Sequence, residues 1–333
     1  MALLAMESFD LGYLPVNLYS TYGLSGTKRT GINGLSVGFF GRNEIRFSAA
    51  AEIYTGVALY APVTNDTGYG QEFLALYGNS GTEQHITVRI NPITRTVEAK
   101  CGATVLATAA APIIQNNVWR YIEVHAKLSD TVGIVQVRVD EQLVIDFSGD
   151  TKNGGSATTF DKIGLGYQQY YGGTMDDFYL LNTTGTKNNT WLGDIDVVAL
   201  RPNGNGSSSQ LTGSDADQIN NYQLVDDPST PSMTDYVAGN TAGLLDLYAL
   251  EDVPSNTVTV RGVRVSYDAK KSAAGFAAAK PVLKANGSTT SETMQPLSTS
   301  ETQYTSAIYE TDPSGADWTI SNMNSAEAGI ETA

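Results

Sequence analysis

Residues 118–147 read V-W-R-Y-I-E-V-H-A-K-L-S-D-T-V-G-I-V-Q-V-R-V-D-E-Q-L-V-I-D-F, and their alternation decides the fold class. In the first run Ile122, Val124, Ala126 and Leu128 share one side of an extended chain, while Trp119, Tyr121, Glu123 and His125 take the other. A period of two marks a strand with one buried face. Ser129-Asp130-Thr131 turns the chain, and Val135, Val137 and Val139 resume the alternation. Asp140-Glu141-Gln142 then makes a short turn into L-V-I-D-F. Outward from this meander the pattern repeats. Ile86, Val88 and Ile90 alternate before an Asn91-Pro92 turn, and Ala51 to Tyr60 offers Ile53, Val57, Leu59 and Tyr60 to a core. Shorter runs occur at Val37 to Phe40, Phe73 to Tyr77 and Thr96 to Ala99. Closely spaced short strands without a long amphipathic helix predict an all-β sandwich or jelly roll.

Composition agrees and narrows the function classes. The 333 residues include 33 Gly and 18 Tyr, as expected of many strands joined by turns. With 20 basic and 35 acidic residues the net charge is −15, which disfavours nucleic acid and anionic lipid as partners. One cysteine, Cys101, excludes an intrachain disulfide framework, and two histidines, His85 and His125, exclude a His-rich metal centre. The opening M-A-L-L-A-M-E-S-F-D lacks the basic flank of a secretion signal, and no apolar run is long enough to span a bilayer as a helix. No membrane insertion is expected.

The length suggests two domains. Residues 1–183 read as the first β domain, 184–191 (T-G-T-K-N-N-T-W from Thr184) as a linker, and 192–333 as a second β-rich domain. W-L-G-D-I-D-V-V-A-L, from Trp191, is expected to restart a strand. Residues from about 202 to 243, including N-G-N-G-S-S-S, have too little apolar content to pack and read as a long inserted surface loop. In V-T-V-R-G-V-R-V-S-Y the alternation changes phase, which suggests a bulge near Gly262. Thr319 can cap a helix over 320–328, with Gly329 at its C-terminal side. Charge is unequal: residues 1–189 hold 13 basic and 17 acidic groups, and residues 190–333 hold 7 and 18.

The order W-R-Y-I-E-V, V-Q-V-R-V-D-E-Q-L-V-I and G-T-M-D-D-F-Y-L-L over residues 115–182 resembles the concanavalin A-like lectin/glucanase fold in its laminin G-like form. The usual Asp-Gly or Asn-Gly hairpin turn of that pattern is replaced here by Asp140-Glu141-Gln142. The C-terminal I-Y-E-T-D-P-S-G-A-D-W-T-I-S-N-M-N-S-A-E-A-G-I-E is similar to the ending of many bacteriophage structural proteins, and W-L-G-D-I-D-V-V-A-L-R-P-N to the opening of their second domain. The resemblance implies a non-enzymatic virion surface component, such as a decoration protein, fibre or tail element. It implies assembly in the host cytoplasm, other virion proteins as partners, homo-oligomerisation and contact with cell-surface glycans through the first domain. A carbohydrate-binding adhesin is the alternative.

Each candidate for chemistry in the sequence also has a plainer structural reading. The glucanases of this fold carry E-x-D-x-E on one strand, and retaining hydrolysis needs two carboxyls about 5–5.5 Å apart. The nearest echo, Asp194-Ile195-Asp196, lacks the third acid and reads as a solvent-facing pair on a strand edge. A glycoside hydrolase is therefore disfavoured. Tyr167, Gln168, Gln169, Tyr170 and Tyr171, set between glycines, are the glycan-binding candidates, since rings stack on sugar C–H faces and amides bond hydroxyls. Hairpin packing is their plainer reading. Asp66, Asp176 and Asp177 are the carboxylates that could take Ca2+, although turn and capping roles suit them better. No other cofactor is expected. His85 and His125 read as surface or satisfied polar residues, and Cys101 as a small residue at a turn.

Overall fold

The computed structural model describes residues 2–10, 18–20, 23–37, 43–61, 71–91, 93–166, 173–228, 232, 234–290 and 292–333. In chain order its first strands are β1 (Leu3–Glu7), β2 (Leu18–Ser20), β3 (Leu24–Ser25), β4 (Gly34–Val37), β5 (Asn43–Ala50), β6 (Glu52–Tyr60), β7 (Gln71–Gly78) and β8 (Glu83–Ile90). β9 (Val97–Cys101), β10 (Thr104–Thr108), β11 (Trp119–Lys127), β12 (Gly133–Val139), β13 (Gln142–Gly149), β14 (Phe160–Leu165) and β15 (Gly173–Asn182) follow. They form two antiparallel sheets. One runs β13-β12-β11-β6-β15-β4-β3, with β1 also on β15, and the other runs β10-β9-β8-β7-β14-β5-β2.

One apolar core joins residues of both sheets. Ile53, Val57, Ile122, Val124, Val135 and Val137 come from the first, and Ile45, Leu74, Leu76, Ile86, Val88 and Ile163 from the second. The expected meander is present, with Ile122 opposite Val139, Val124 opposite Val137 and Ala126 opposite Val135. Its tight turn places Asp140 and Glu141 in the left-handed region, at φ 48° and 65°. Asp140 compensates for the missing glycine by accepting from Tyr121 N at 2.9 Å and from Arg120 at 2.6 Å.

The chain divides into two compact units, Met1–Val198 and Ala199–Ala333. Residues 191–198 belong to the first unit and form no strand, contrary to the expected restart. Their backbone groups bond to side chains of the first unit instead of to a neighbouring strand.

The second unit contains β16 (Pro202–Ser209), β17 (Thr212–Gly213), β18 (Val237–Ala238), β19 (Leu245–Leu250), β20 (Ser266–Ala269), β21 (Ala278–Ala285), β22 (Ser288–Thr289), β23 (Gln295–Pro296), β24 (Thr302–Thr305) and β25 (Glu327–Thr332). Its larger sheet runs β16-β19-β25-β21-β22, with β23 also on β21. Val265, Leu283, Ala285, Trp318, Met323 and Ala326 form its apolar cluster.

Three expectations are corrected here. Residues 202–243 are not one long loop, because N-G-N-G-S-S-S lies within β16, paired with β19. Small side chains let that strand lie close: a β-carbon on Gly206 would sit 2.4 Å from Leu247 O. The helix α1 spans only Ile320–Asn324, capped by Thr319 Oγ1 accepting from Asn322 N at 3.0 Å. Residues expected to continue it form β25 between β19 and β21, and Gly329 serves that close approach, since a β-carbon there would meet Asp246 O at 1.9 Å. No bulge arises at Gly262, because only Val263 of that stretch makes a bridge, to Tyr309, before β20 begins.

Candidate functional site

β6, β11 and β15 turn one set of side chains into the core and another onto the sheet's outer face. That outer face is also covered. Tyr121, Glu123, His125 and Tyr179 are all buried on it. Gly56 is the residue that admits two rings there, since a β-carbon would lie 2.3 Å from Tyr179 Cε1 and 2.8 Å from Tyr121 Cε1. Residues 191–197 cross the face as a strap, and Leu192 and Ile195 pack on Ala58, Tyr121, Tyr179 and Leu181.

Side chains of the first unit hold this strap along its length. Trp191 stands edge-on to Tyr54 and His125, at 5.0 and 5.9 Å between centroids, and Arg138 lies 4.2 Å over its ring. Tyr54 and His125 are stacked at 4.1 Å. His125 Nε2 is 2.8 Å from Glu52 Oε1, and Nδ1 is 3.0 Å from Gln136 Oε1. Gln136 Nε2 donates to Asp146, which directs its carbonyl end at the imidazole.

Further along, Glu123 Oε1 accepts from Tyr179 OH at 2.6 Å and from the strap's Gly193 N at 2.9 Å. Burial pushes the Glu123 carboxyl above its usual range, against those two hydrogen bonds. Arg29 is the final clamp. Its guanidinium donates to Asp177 Oδ2 at 3.3 Å, Ile195 O at 3.2 Å and Asp194 Oδ1 at 2.5 Å, with Asp196 at 3.8 Å. Asp194 and Asp196 are exposed, as expected, but they lie on the strap and not on a strand edge, and both pair with Arg29.

Asp176 and Asp177 sit beneath the clamp with no exposed surface. Asp176 accepts from Arg29 N, Thr30 N and Asp177 N. Asp177 accepts from Thr30 Oγ1, Val197 N and Arg29. Three of the four carboxylate oxygens thus serve the turn at 29–30 and the strap, and the fourth, Asp176 Oδ1, accepts from Asp177 N. Burial raises Asp176 to about 6, and burial together with Asp176 raises Asp177 to about 7. Among the described residues no group of three or more His, Cys, Asp or Glu is placed to hold a metal ion.

The other sequence candidates fall as follows. Tyr167, Gln168, Gln169, Tyr170, Tyr171 and Asp66 lie outside the described residues. His85 is not a surface residue: it is fully buried, with Nε2 3.9 Å from Glu83 Oε1, and desolvation lowers its pKa. Cys101 ends β9 in the core, where burial and Asp150 push its thiol up to about 11, far from a reactive thiolate. Sequence reasoning missed Arg29, Glu123, Tyr179 and Trp191 as one constellation. Only the alternation of β11, which put Glu123 and His125 on a common face, hinted at it.

No protein-family model matches the chain, and no curated protein aligns with it significantly. Among solved structures it is similar to Cip1, a cellulose-induced protein, at 10% identity over 57% of this chain and 93% of that one, with TM-score 0.40. It is similar to alginate lyase Aly36B bound to an alginate trisaccharide at 10% identity, over 44% and 80% of the two chains, with TM-score 0.34. Domain 4 of AbnA, an arabinanase of Geobacillus stearothermophilus in complex with arabinotriose, aligns at 12% identity over 54% and 92%, with TM-score 0.37.

Proposed function

We propose that the chain is a non-enzymatic structural component of a bacteriophage virion surface, acting as a capsid decoration, fibre or tail element. The observation that carries this reading is the fold of the C-terminal segment bearing the resemblance. Asp312 is buried and accepts from Ser314 N and Oγ, Ala316 N, Asn286 Nδ2 and Asn322 Nδ2. Trp318 is buried and donates to Tyr309 O at 2.9 Å, Thr319 caps α1, and β25 follows within the sheet. The D-P-S-G-x-x-W-T pattern is thus the framework of a folded closing piece, and a resemblance among structural proteins is expected to lie in such a framework. The strap supports the non-catalytic part of the reading, because the chain's own residues fill the outer face of the first sheet. In this reading the partners are other virion proteins and further copies of the chain, and glycan contact falls to Tyr167–Tyr171.

Mass spectrometry of gradient-purified virions, from the phage whose genome encodes the chain, tests this. Stoichiometric presence is expected, and absence from the particle overturns it. A pull-down on host-envelope polysaccharide separates the adhesin reading. Retention that is lost in a Tyr170→Ala, Tyr171→Ala variant makes the first unit a glycan binder.

A further inference from the structure

Asn221 opens a short 3-10 turn, Asn221–Leu224, and is fully buried. Both of its amide hydrogens are committed, to Leu211 O at 2.9 Å and to Asp246 Oδ2 at 2.7 Å. Two acceptors on one side fix which end of the amide is nitrogen, so Oδ1 is forced to face the other way. There it has no hydrogen-bond partner. A buried carbonyl oxygen in that position calls for a donor or a cation.

The side it faces is acidic. At Gly213, in β17, the position of the absent β-carbon lies 3.3 Å from Asn221 Oδ1 and 2.4 Å from Asp215 Oδ1, with Leu224 Cδ1 at 2.7 Å as an apolar wall. A carboxylate oxygen and a buried amide oxygen thus converge beside one glycine. The loop that brings them together is closed by Gly213 N donating to Asp217 O at 2.7 Å. Asp215 Oδ1 accepts only a long bond from Asp217 N, at 3.2 Å. Two oxygens of like partial charge repel unless something positive lies between them.

We propose that loop 213–221 binds an oxygen-preferring divalent cation of the Ca2+ class, with Asn221 Oδ1 and the Asp215 carboxylate as side-chain ligands. Such ions accept carboxylates, amide carbonyls and water in shells of six to eight oxygens. Residues 190–333 hold 18 acidic groups against 7 basic ones, which favours cation capture. Its proposed side-chain ligands are none of Asp66, Asp176 and Asp177.

Calorimetric titration of CaCl2 into the EDTA-treated full chain tests it, together with thermal melts with and without CaCl2. One saturable site is expected, with an upward Tm shift. Asp215→Asn, an exposed position, should weaken the apparent Kd at least tenfold while circular dichroism stays unchanged. Asp66→Asn should leave binding intact. The absence of saturable Ca2+ binding overturns the proposal, as does equal affinity in Asp215→Asn, or loss in Asp66→Asn alone. If Asp215→Asn does not fold, Asp215→Ser is read by the same criteria.

Discussion

The two units bury different things. In the first, large aliphatic side chains from two facing sheets form a continuous core, and polar groups gather on the outer face under the strap. In the second, the apolar cluster is small, and buried aspartates organise the chain. Asp246 has no exposed surface and accepts from Gln210 N, Leu211 N, Asn221 Nδ2 and Tyr248 OH. Asp312 plays the same part for the turn before α1. Apolar burial is non-directional and scales with area, whereas a buried carboxylate ringed by donors fixes particular backbone groups in place. A Ser- and Gly-rich strand such as β16 can therefore hold its place without a large apolar face.

The strongest way to break this contrast is Asp246→Ala. It strands four donors in the interior, each costing about 1–3 kcal/mol, so a loss of at least about 4 kcal/mol is expected. Urea melts followed by Trp318 emission, in a background with Trp119 and Trp191 replaced by Phe, measure it. A loss near 1 kcal/mol would erase the distinction between the units. Ile122→Ala is the counterpart in the first unit, with about 3 kcal/mol expected from cavity formation. Its melt should leave the Trp318 signal unchanged.

Arg29→Ala sharpens the picture of the strap. Removing the clamp leaves Asp177 and Ile195 O without their guanidinium donor, and about 2 kcal/mol should be lost. Trp191 emission should shift to the red as the strap loosens. pH offers a second probe. Because Asp176 and Asp177 are raised to about 6 and about 7, their contribution to stability is present below the unfolded carboxylate range and is lost as pH rises to 7. Asp177→Asn should match the parent near pH 4 and exceed its stability at pH 8. His85 acts in the opposite sense, since its lowered pKa gives stability above pH 6.5 that is lost on acidification. The smallest effect is expected from Thr319→Ala, about 1 kcal/mol for a lost helix cap, read on the Trp318 melt.

The meander at 118–147 was legible because its apolar residues alternate and each turn is short. The outer face was misjudged because alternation says which residues share a side, not whether another segment covers that side. Trp191–Val197 carries apolar residues at strand-like spacing, but its backbone is satisfied by Glu123 and Asp177, which lie far away in sequence. β16 failed for the complementary reason, as its stability comes from its partner strand and not from its own side chains. Gly329 suits either a helix end or a tight strand crossing, and only the packing against Asp246 decides. Of the candidate site residues, Asp176 and Asp177 were recognisable as turn-bonding groups from the resemblance. Arg29 carried no local signal.

The position of β25 has a consequence for synthesis. It lies between β19 and β21, so the sheet of the second unit cannot be completed until residues 327–332 have left the ribosome. At elongation rates of about 5–20 residues per second, β19, already paired with β16 on one side, waits several seconds for its other neighbour. β15 imposes the same delay on β1, β4 and β6, which all pair with it. Each nascent unit therefore emerges with strand edges that stay unpaired until these late partners arrive.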